Sequence, residues 1–229
     1  MKVLRKILKA ALKSLLWIFI LQITLIFTLK YVPVRTTSYM MLKSAKHYLK
    51  TGEKLKLYRK WVSNEQICFE MKFMIIHAED VKFMQHYGFN FENIRRAVKI
   101  NSKNKMIVWG GSTITQQTAR NVFLYPKRSF FRKALEAEIT VLLELIWGKS
   151  RIMEVYLNTM EMGENIYGVE SCAEIVFGKT AKTLTPEQCA MVACMLPYEP
   201  KNYSCPFPTS RLVYDSLLLE YDSYIKNRH

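Results

Sequence analysis

Sixteen consecutive residues without a charge, Ser14 to Leu29, lie between Lys13 and Lys30, and this run constrains the chain more than any other feature. It reads as a bilayer-spanning helix slightly short of the ~20 apolar residues usually needed, with the flanking lysines able to snorkel and extend it. Lys2, Arg5, Lys6, Lys9 and Lys13 precede it. Positive residues on that side predict a cytoplasmic N-terminus and a body beyond the membrane. A cleaved signal peptide is the competing reading, but Lys30-Tyr31-Val32-Pro33 offers no small-x-small cleavage site. The expected organisation is a basic cytoplasmic N-terminus over 1–13, a transmembrane helix over 14–30 and one domain over 31–229.

That organisation decides what the charge is for. The 229 residues carry a formal net charge of +15, which by itself fits nucleic acid, anionic lipid headgroups or a phosphorylated substrate. A body outside the cytoplasmic (inner) membrane does not meet chromosomal DNA, so no nucleic-acid partner is expected and membrane lipids or an anionic lipid-linked substrate remain. The length excludes a second full catalytic domain. Five cysteines, an odd number without a CxxC pair, indicate neither a disulfide framework nor a zinc site, and buried free thiols are expected.

With half its residues apolar, only eight glycines and no internal repeat, the body is expected to be mainly α-helical. Phe73, Ile76, Phe83 and Tyr87 recur on one helical face, predicting a helix over about 69–87 that Gly88 terminates. A second helix should begin after Asn90. A third is capped by Ser112 or Thr113, with Gln116 completing a capping box, and ends at Pro126. Leu135, Ile139, Leu142 and Ile146 give a fourth over 131–147, closed by Gly148. Further helices are expected over 151–158, after the Thr185-Pro186-Glu187-Gln188 cap, and over about 212–225.

Three segments carry candidate chemistry. Glu79, Phe83 and His86 fall on one side of the first predicted helix with Asp80 on the other flank, so Glu79 borders an apolar stripe. Partial desolvation there raises a carboxylate pKa toward the range of a general base; a solvated surface acid pair is the plainer alternative. Gly110-Gly111-Ser112-Thr113 opens a helix whose exposed amides can hold an anion, and Gln116 and Gln117 add neutral donors; a well-capped helix after a tight loop fits equally. Arg120, Lys127, Arg128, Arg132 and Lys133 then fall within fourteen residues. Such a cluster suits a diphosphate, or else a solvated or lipid-facing patch. Glu136, one turn beyond Arg132, could orient an arginine, bind a metal or form a structural ion pair.

Taken together and in this order, these segments resemble the peptidoglycan glycosyltransferase family, specifically the monofunctional biosynthetic transglycosylases. The resemblance runs from about Pro33 to Tyr203, continuing through Arg151 to Asn158, Gly163, Gly168-Val169-Glu170 and Phe177-Gly178-Lys179. It implies a lysozyme-like helical fold that polymerises lipid II into β-1,4-linked glycan strands. In that scheme Glu79 deprotonates the acceptor 4-hydroxyl, which attacks the donor anomeric carbon with inversion and expels undecaprenyl diphosphate. Gln117, Arg120, Arg128, Arg132 and Lys133 would bind the diphosphate, with Ser112 and Thr113 among the substrate contacts, and Glu136 would be the second catalytic carboxylate. No cofactor is required, a divalent cation (Mg or Mn) is left open, and other cell-wall synthesis or division proteins are conceivable partners. Arg120 departs from the family, in which many members carry lysine there.

Two rivals stay in view. A lytic transglycosylase would share the fold and the glutamate, but cleaving a neutral glycosidic bond needs no diphosphate site. A non-catalytic membrane scaffold would be marked by loss of Glu79 or Glu136, and both are present. Lys50-Thr51-Gly52 and Ser102-x-x-Lys105 mimic transpeptidase motifs in reversed order, and no penicillin-binding activity is expected. The apolar set near Met106 to Trp109 is read as core or as a patch dipping into the bilayer.

Overall fold

The computed structural model describes residues 2–104, 111–127, 129–196 and 209–228. Arg128, the 106–109 set and Cys205 lie outside the described residues. Helix α1, Lys2–Tyr31, runs through both the basic N-terminus and the apolar run. It is long and apolar enough to cross a membrane, and almost all of it is bare. Only Ile26 is buried. There α1 meets the body: the Trp147 indole N–H donates to the Ile26 carbonyl at 2.7 Å, and Arg151 Nη2 donates to the Leu29 and Val32 carbonyls at 2.7 and 2.6 Å. Arg151 thus closes the C-terminal end of α1 with a cation, where unpaired carbonyls and the helix dipole favour one.

The body is built of short helices in two packed groups. In the first, α3 (Phe69–Glu79) packs on α9 (Pro186–Met195), and α10 (Thr209–Lys226) covers both. In the second, α5 (Ile114–Phe123), α6 (Phe130–Ile146) and α7 (Gly148–Thr159) pack on one another, with α2 (Ser38–Thr51) against α5. One core of apolar side chains, Met71, Met74, Ile75, Ile114, Leu143 and Leu157 among them, joins the groups. Among the described residues the remaining α-helices are α4 (Phe91–Asn104) and α8 (Val169–Phe177). A small sheet has the order β1 (Tyr58–Arg59), β3 (Ile166–Tyr167), β2 (Glu161–Gly163); β1 and β3 are parallel, with Tyr58 opposite Ile166, and β2 is antiparallel to β3 with a bulge.

The capping residues set the boundaries. Thr113 and Thr185 each form a full capping box, with Gln116 and Gln188. Thr113, rather than Ser112, is the cap of α5. That helix stops at Phe123, short of Pro126, and Gly148, at φ 71°, separates α6 from α7 rather than opening a loop. Lys50-Thr51-Gly52 is the C-terminal cap of α2, Gly52 lying at φ 75°, which is helix termination and not transpeptidase chemistry.

The helix predicted over 69–87 is a correction. It ends at Glu79; Asp80 leaves helical geometry at φ −160°, ψ 73°, and the chain turns through Phe83, whose N–H donates to the Asp80 carbonyl at 2.8 Å. Glu79, Phe83 and His86 therefore do not share a helix face. The apolar spacing survived because Phe83 is still buried, now from a turn, while Tyr87 points to solvent. Propensity and periodicity saw the burial and not the change of backbone, which a short polar side chain competing for main-chain partners produces.

Two glycines separate conformational need from crowding. Gly168 lies at φ 83°, ψ 154°, and a Cβ there would fall 2.8 Å from the Asn158 carbonyl oxygen, whereas Gly178 lies at φ 63° with open space around it. Gly168→Ala is expected to cost about 3 kcal/mol and Gly178→Ala about 1 kcal/mol, because only the first adds a backbone clash to an unfavourable φ. Denaturant unfolding of the two detergent-solubilised variants, compared by midpoint at unchanged slope, checks this order.

Candidate active site

Asp80 places the site. Its carboxylate, 1% exposed, accepts from His86 Nε2 at 2.9 and 3.0 Å and from the Ile114 backbone N–H at 3.2 Å. The end of α3 is thereby fastened to the first turn of α5, where a negative charge meets unpaired amides and the positive end of the helix dipole. A second tie runs from the Thr113 hydroxyl to the Gly88 carbonyl at 2.7 Å. Thr115 and Lys149 both donate to Glu144 Oε1, at 2.6 and 2.7 Å, and the Lys149 ammonium sits 4.4 Å from the Phe83 ring centre, so the turn after α3 is braced against α6 and α7.

The consequence is that Glu79, the last residue of α3, faces Gln117, one turn into α5. Gln117 Nε2 donates to Glu79 Oε2 at 2.6 Å, while the Tyr156 hydroxyl on α7 donates to Gln117 Oε1 at 3.4 Å. The amide is thus held in one sense, its N–H toward the carboxylate. Glu79 is crowded by protein yet keeps a partly open side. Burial raises its pKa above the ordinary carboxylate value, opposed by the Gln117 hydrogen bond and the nearby Arg120 charge and helped by Asp80. Tyr156 is fully buried and its pKa is pushed well above the ordinary phenol value by desolvation and by the Glu79 charge, so it remains a donor. A desolvated carboxylate with one oxygen fixed and a partly open side is equipped to accept a proton.

A second charged group lies on α6. Arg132 and Lys133, in its first turn, both bond Glu136, whose side chain is wholly buried. Lys133 stays half exposed and Arg132 is largely buried. The inner face of α6 therefore starts with this ion-paired set and continues through Ile139, Thr140 and Leu143, offset from the stripe of Leu135, Leu142 and Ile146, which are only partly buried.

Residues 46–213 match the sequence profile of the family described as Transglycosylase. The chain belongs to the transglycosylase family. Its relatives include proteins named biosynthetic peptidoglycan transglycosylase. That of Bacteroides thetaiotaomicron is 40% identical over 210 residues, covering 92% of this chain and 84% of the relative. That of Bdellovibrio bacteriovorus is 39% identical over 202 residues, covering 88% and 79%. One from Acinetobacter baumannii reaches 46% over 147 residues, covering 64% and 65%. The chain is accordingly a glycosyltransferase enzyme of peptidoglycan synthesis, mainly helical, with one N-terminal helix suited to anchor it in a membrane.

Within the transglycosylase, the residues singled out from sequence divide by what they touch. Glu79, Gln117 and Arg120 come together. Arg132, Lys133 and Glu136 form their own cluster. Ser112 is half buried at the start of α5, whereas the Thr113 hydroxyl is spent on capping Gln116 and holding Gly88, which makes Thr113 a positioning residue. Asp80, His86 and Tyr156 were not given roles from sequence. Asp80 stands beside an obvious candidate, and Tyr156 lies between Val155 and Leu157 on α7, but only tertiary contact shows what either meets.

Glu136 and Asp80 are already engaged by partners other than a metal. Both Glu136 oxygens face cations, both Asp80 oxygens are taken by His86 and the Ile114 amide, and no group of three His, Cys, Asp or Glu side chains suited to a metal occurs among the described residues.

The raised pKa of Glu79 carries a sign. The folded state holds the proton to higher pH than the unfolded chain does, so this group's contribution is fully present below the ordinary value of 4.5 and is lost as pH rises through the raised one. Glu79→Gln keeps the shape and the Gln117 contact while removing the buried charge. It is expected to raise the melting temperature at pH 7.5 and to change it little near pH 4. Thermal melts of both proteins across that range read the difference; an equal gain at both ends would contradict it.

Proposed function

We propose that this transglycosylase polymerises lipid II into β-1,4-linked glycan strands and releases undecaprenyl diphosphate, with Glu79 as the general base. The observation that carries the reading is the Glu79 carboxylate itself, desolvated, held on one oxygen by Gln117 and left partly open. In the step, the acceptor's N-acetylglucosamine 4-hydroxyl gives its proton to Glu79 as its oxygen bonds to the donor's anomeric carbon from the face opposite the leaving group. The bond from that carbon to the diphosphate breaks with inversion, and the electron pair departs on undecaprenyl diphosphate. No resident cofactor is assigned a role.

Arg120, Arg132 and Lys133 supply positive charge where the diphosphate charge grows. Preorganised cations are most effective when their positions are set before the reaction begins. Glu136 acts by setting the positions of Arg132 and Lys133, as a positioning residue rather than a direct assistant to the leaving group. Arg128 is carried into this group from sequence alone, and Ser112 joins it through its place beside the α5 amides. The basic residues ahead of the apolar run of α1 support a cytoplasmic N-terminus and a body on the outer face of the inner membrane, where the acceptor and donor lipids would present their sugars.

Labelled lipid II given to detergent-solubilised protein, with products resolved on a gel, tests the reading. Wild type should build long strands, and Glu79→Gln should fall by at least ~100-fold while remaining folded. Near-normal turnover by that variant would remove Glu79 as the base. Release of fragments from preformed peptidoglycan, with no strands built, would assign the lytic reaction instead.

A further inference from the structure

Outside the charged site, the side chains closest to a reaction are two thiols. Cys68 is the residue that caps the start of α3 and is partly exposed, while Cys189 is buried on α9; their sulfur atoms stand 3.6 Å apart. A disulfide needs about 2.05 Å, so closing it asks for a rotamer adjustment and a small approach of two helices already in contact. The surroundings fix the Cys68 end of the gap. The Cys68 N–H donates to the Ala181 carbonyl at 3.2 Å, the adjacent Phe69 ring stacks on Tyr224 with centroids 5.6 Å apart, and Tyr221 donates to Glu70 at 3.0 Å.

We propose that Cys68 and Cys189 form a dithiol oxidation site that accepts a disulfide oxidant and closes into an intramolecular disulfide bridging α3 and α9. The two sulfurs have unequal roles. Cys68 is reachable, and the Cys189 thiol together with the Met71 backbone amide at the helix start holds its pKa below the ordinary thiol value, which favours the nucleophilic thiolate. The Cys68 thiolate attacks one sulfur of the oxidant, whose S–S bond breaks and releases one thiol. Cys189 then attacks the Cys68 sulfur of the mixed disulfide and releases the second. The protein gives up two electrons and two thiol protons, and the oxidant leaves as two thiols.

Cys189, being buried, is out of reach of the oxidant but not of Cys68, which suits it to the resolving step. While Cys68 is a thiolate, the Cys189 thiol donates to it and its pKa is pushed up, so Cys189 gives up its proton only as it attacks the mixed disulfide. Oxidation in the cell rests on the outward-facing body proposed above, since compartments beyond the cytoplasm sustain disulfides. The chemistry itself does not depend on that orientation. The closed loop would run from residue 68 to residue 189 and so enclose Glu79, Gln117, Arg132 and Tyr156.

Full-length protein in detergent, treated with glutathione disulfide and then alkylated under denaturing conditions, is the test. Free thiols should fall from five to three. A non-reducing peptide digest should give the 68–189 link, and neither Cys68→Ser nor Cys189→Ala should give it. The oxidised wild type should melt roughly 5–10 °C higher, a shift erased by dithiothreitol. A glutathione adduct that stays on Cys68, a link that uses another cysteine, or five free thiols after treatment would each overturn the proposal. Two independent variants guard against one of them failing to fold, and the wild-type peptide map needs neither.

Discussion

The Asp80 carboxylate holds the site together. A helix that ends in solvent can stop anywhere, but α3 stops against the first turn of α5, and the buried carboxylate accepts the Ile114 amide across that junction. Its other partner, His86, comes from the turn that follows, so one side chain closes the turn and docks the two helices. Breaking it would leave a buried charge without partners, which proteins tolerate badly. Glu79 gains its environment as the residue just before this junction. Its neighbour satisfies the structure, which leaves Glu79 itself free to be desolvated and only singly bonded.

The two acidic residues that adjoin in sequence are thus opposite in design. Asp80 has every oxygen engaged and is sealed away; Glu79 has one donor, a raised pKa and an open side. Glu136 repeats the first pattern on α6, with its charge divided between Arg132 and Lys133. A carboxylate that positions cations and one proposed to take a proton are told apart by what surrounds them, not by residue type.

Much of this was legible beforehand, and the failures have a common cause. The apolar run and the Thr113 and Thr185 caps were readable because each depends on residues close together in sequence. The continuous helix to Tyr87 was wrong because Phe83 keeps helical spacing while sitting in a turn that only Asp80's distant partner explains. The α2 and α8 helices and the small sheet went unassigned: the helices are short or weakly patterned, and strands of two or three residues have no periodicity to read. Tyr156 falls inside the helix expected over 151–158, where nothing in the spacing marks it. Its hydroxyl matters only because α5 brings Gln117 within reach, a fact of packing that no local spacing records.

Arg151 grips the last carbonyls of α1 from a position on α7, five residues ahead of Tyr156. The membrane helix is consequently a mast stepped into the same beam that supports the Gln117 amide, rather than a rope from which the body swings. Leaning the mast, as a thicker or thinner bilayer would, loads that beam directly. Lipid thickness would then be felt in the alignment of Gln117 against Glu79, giving the bilayer mechanical leverage over chemistry that takes place outside it.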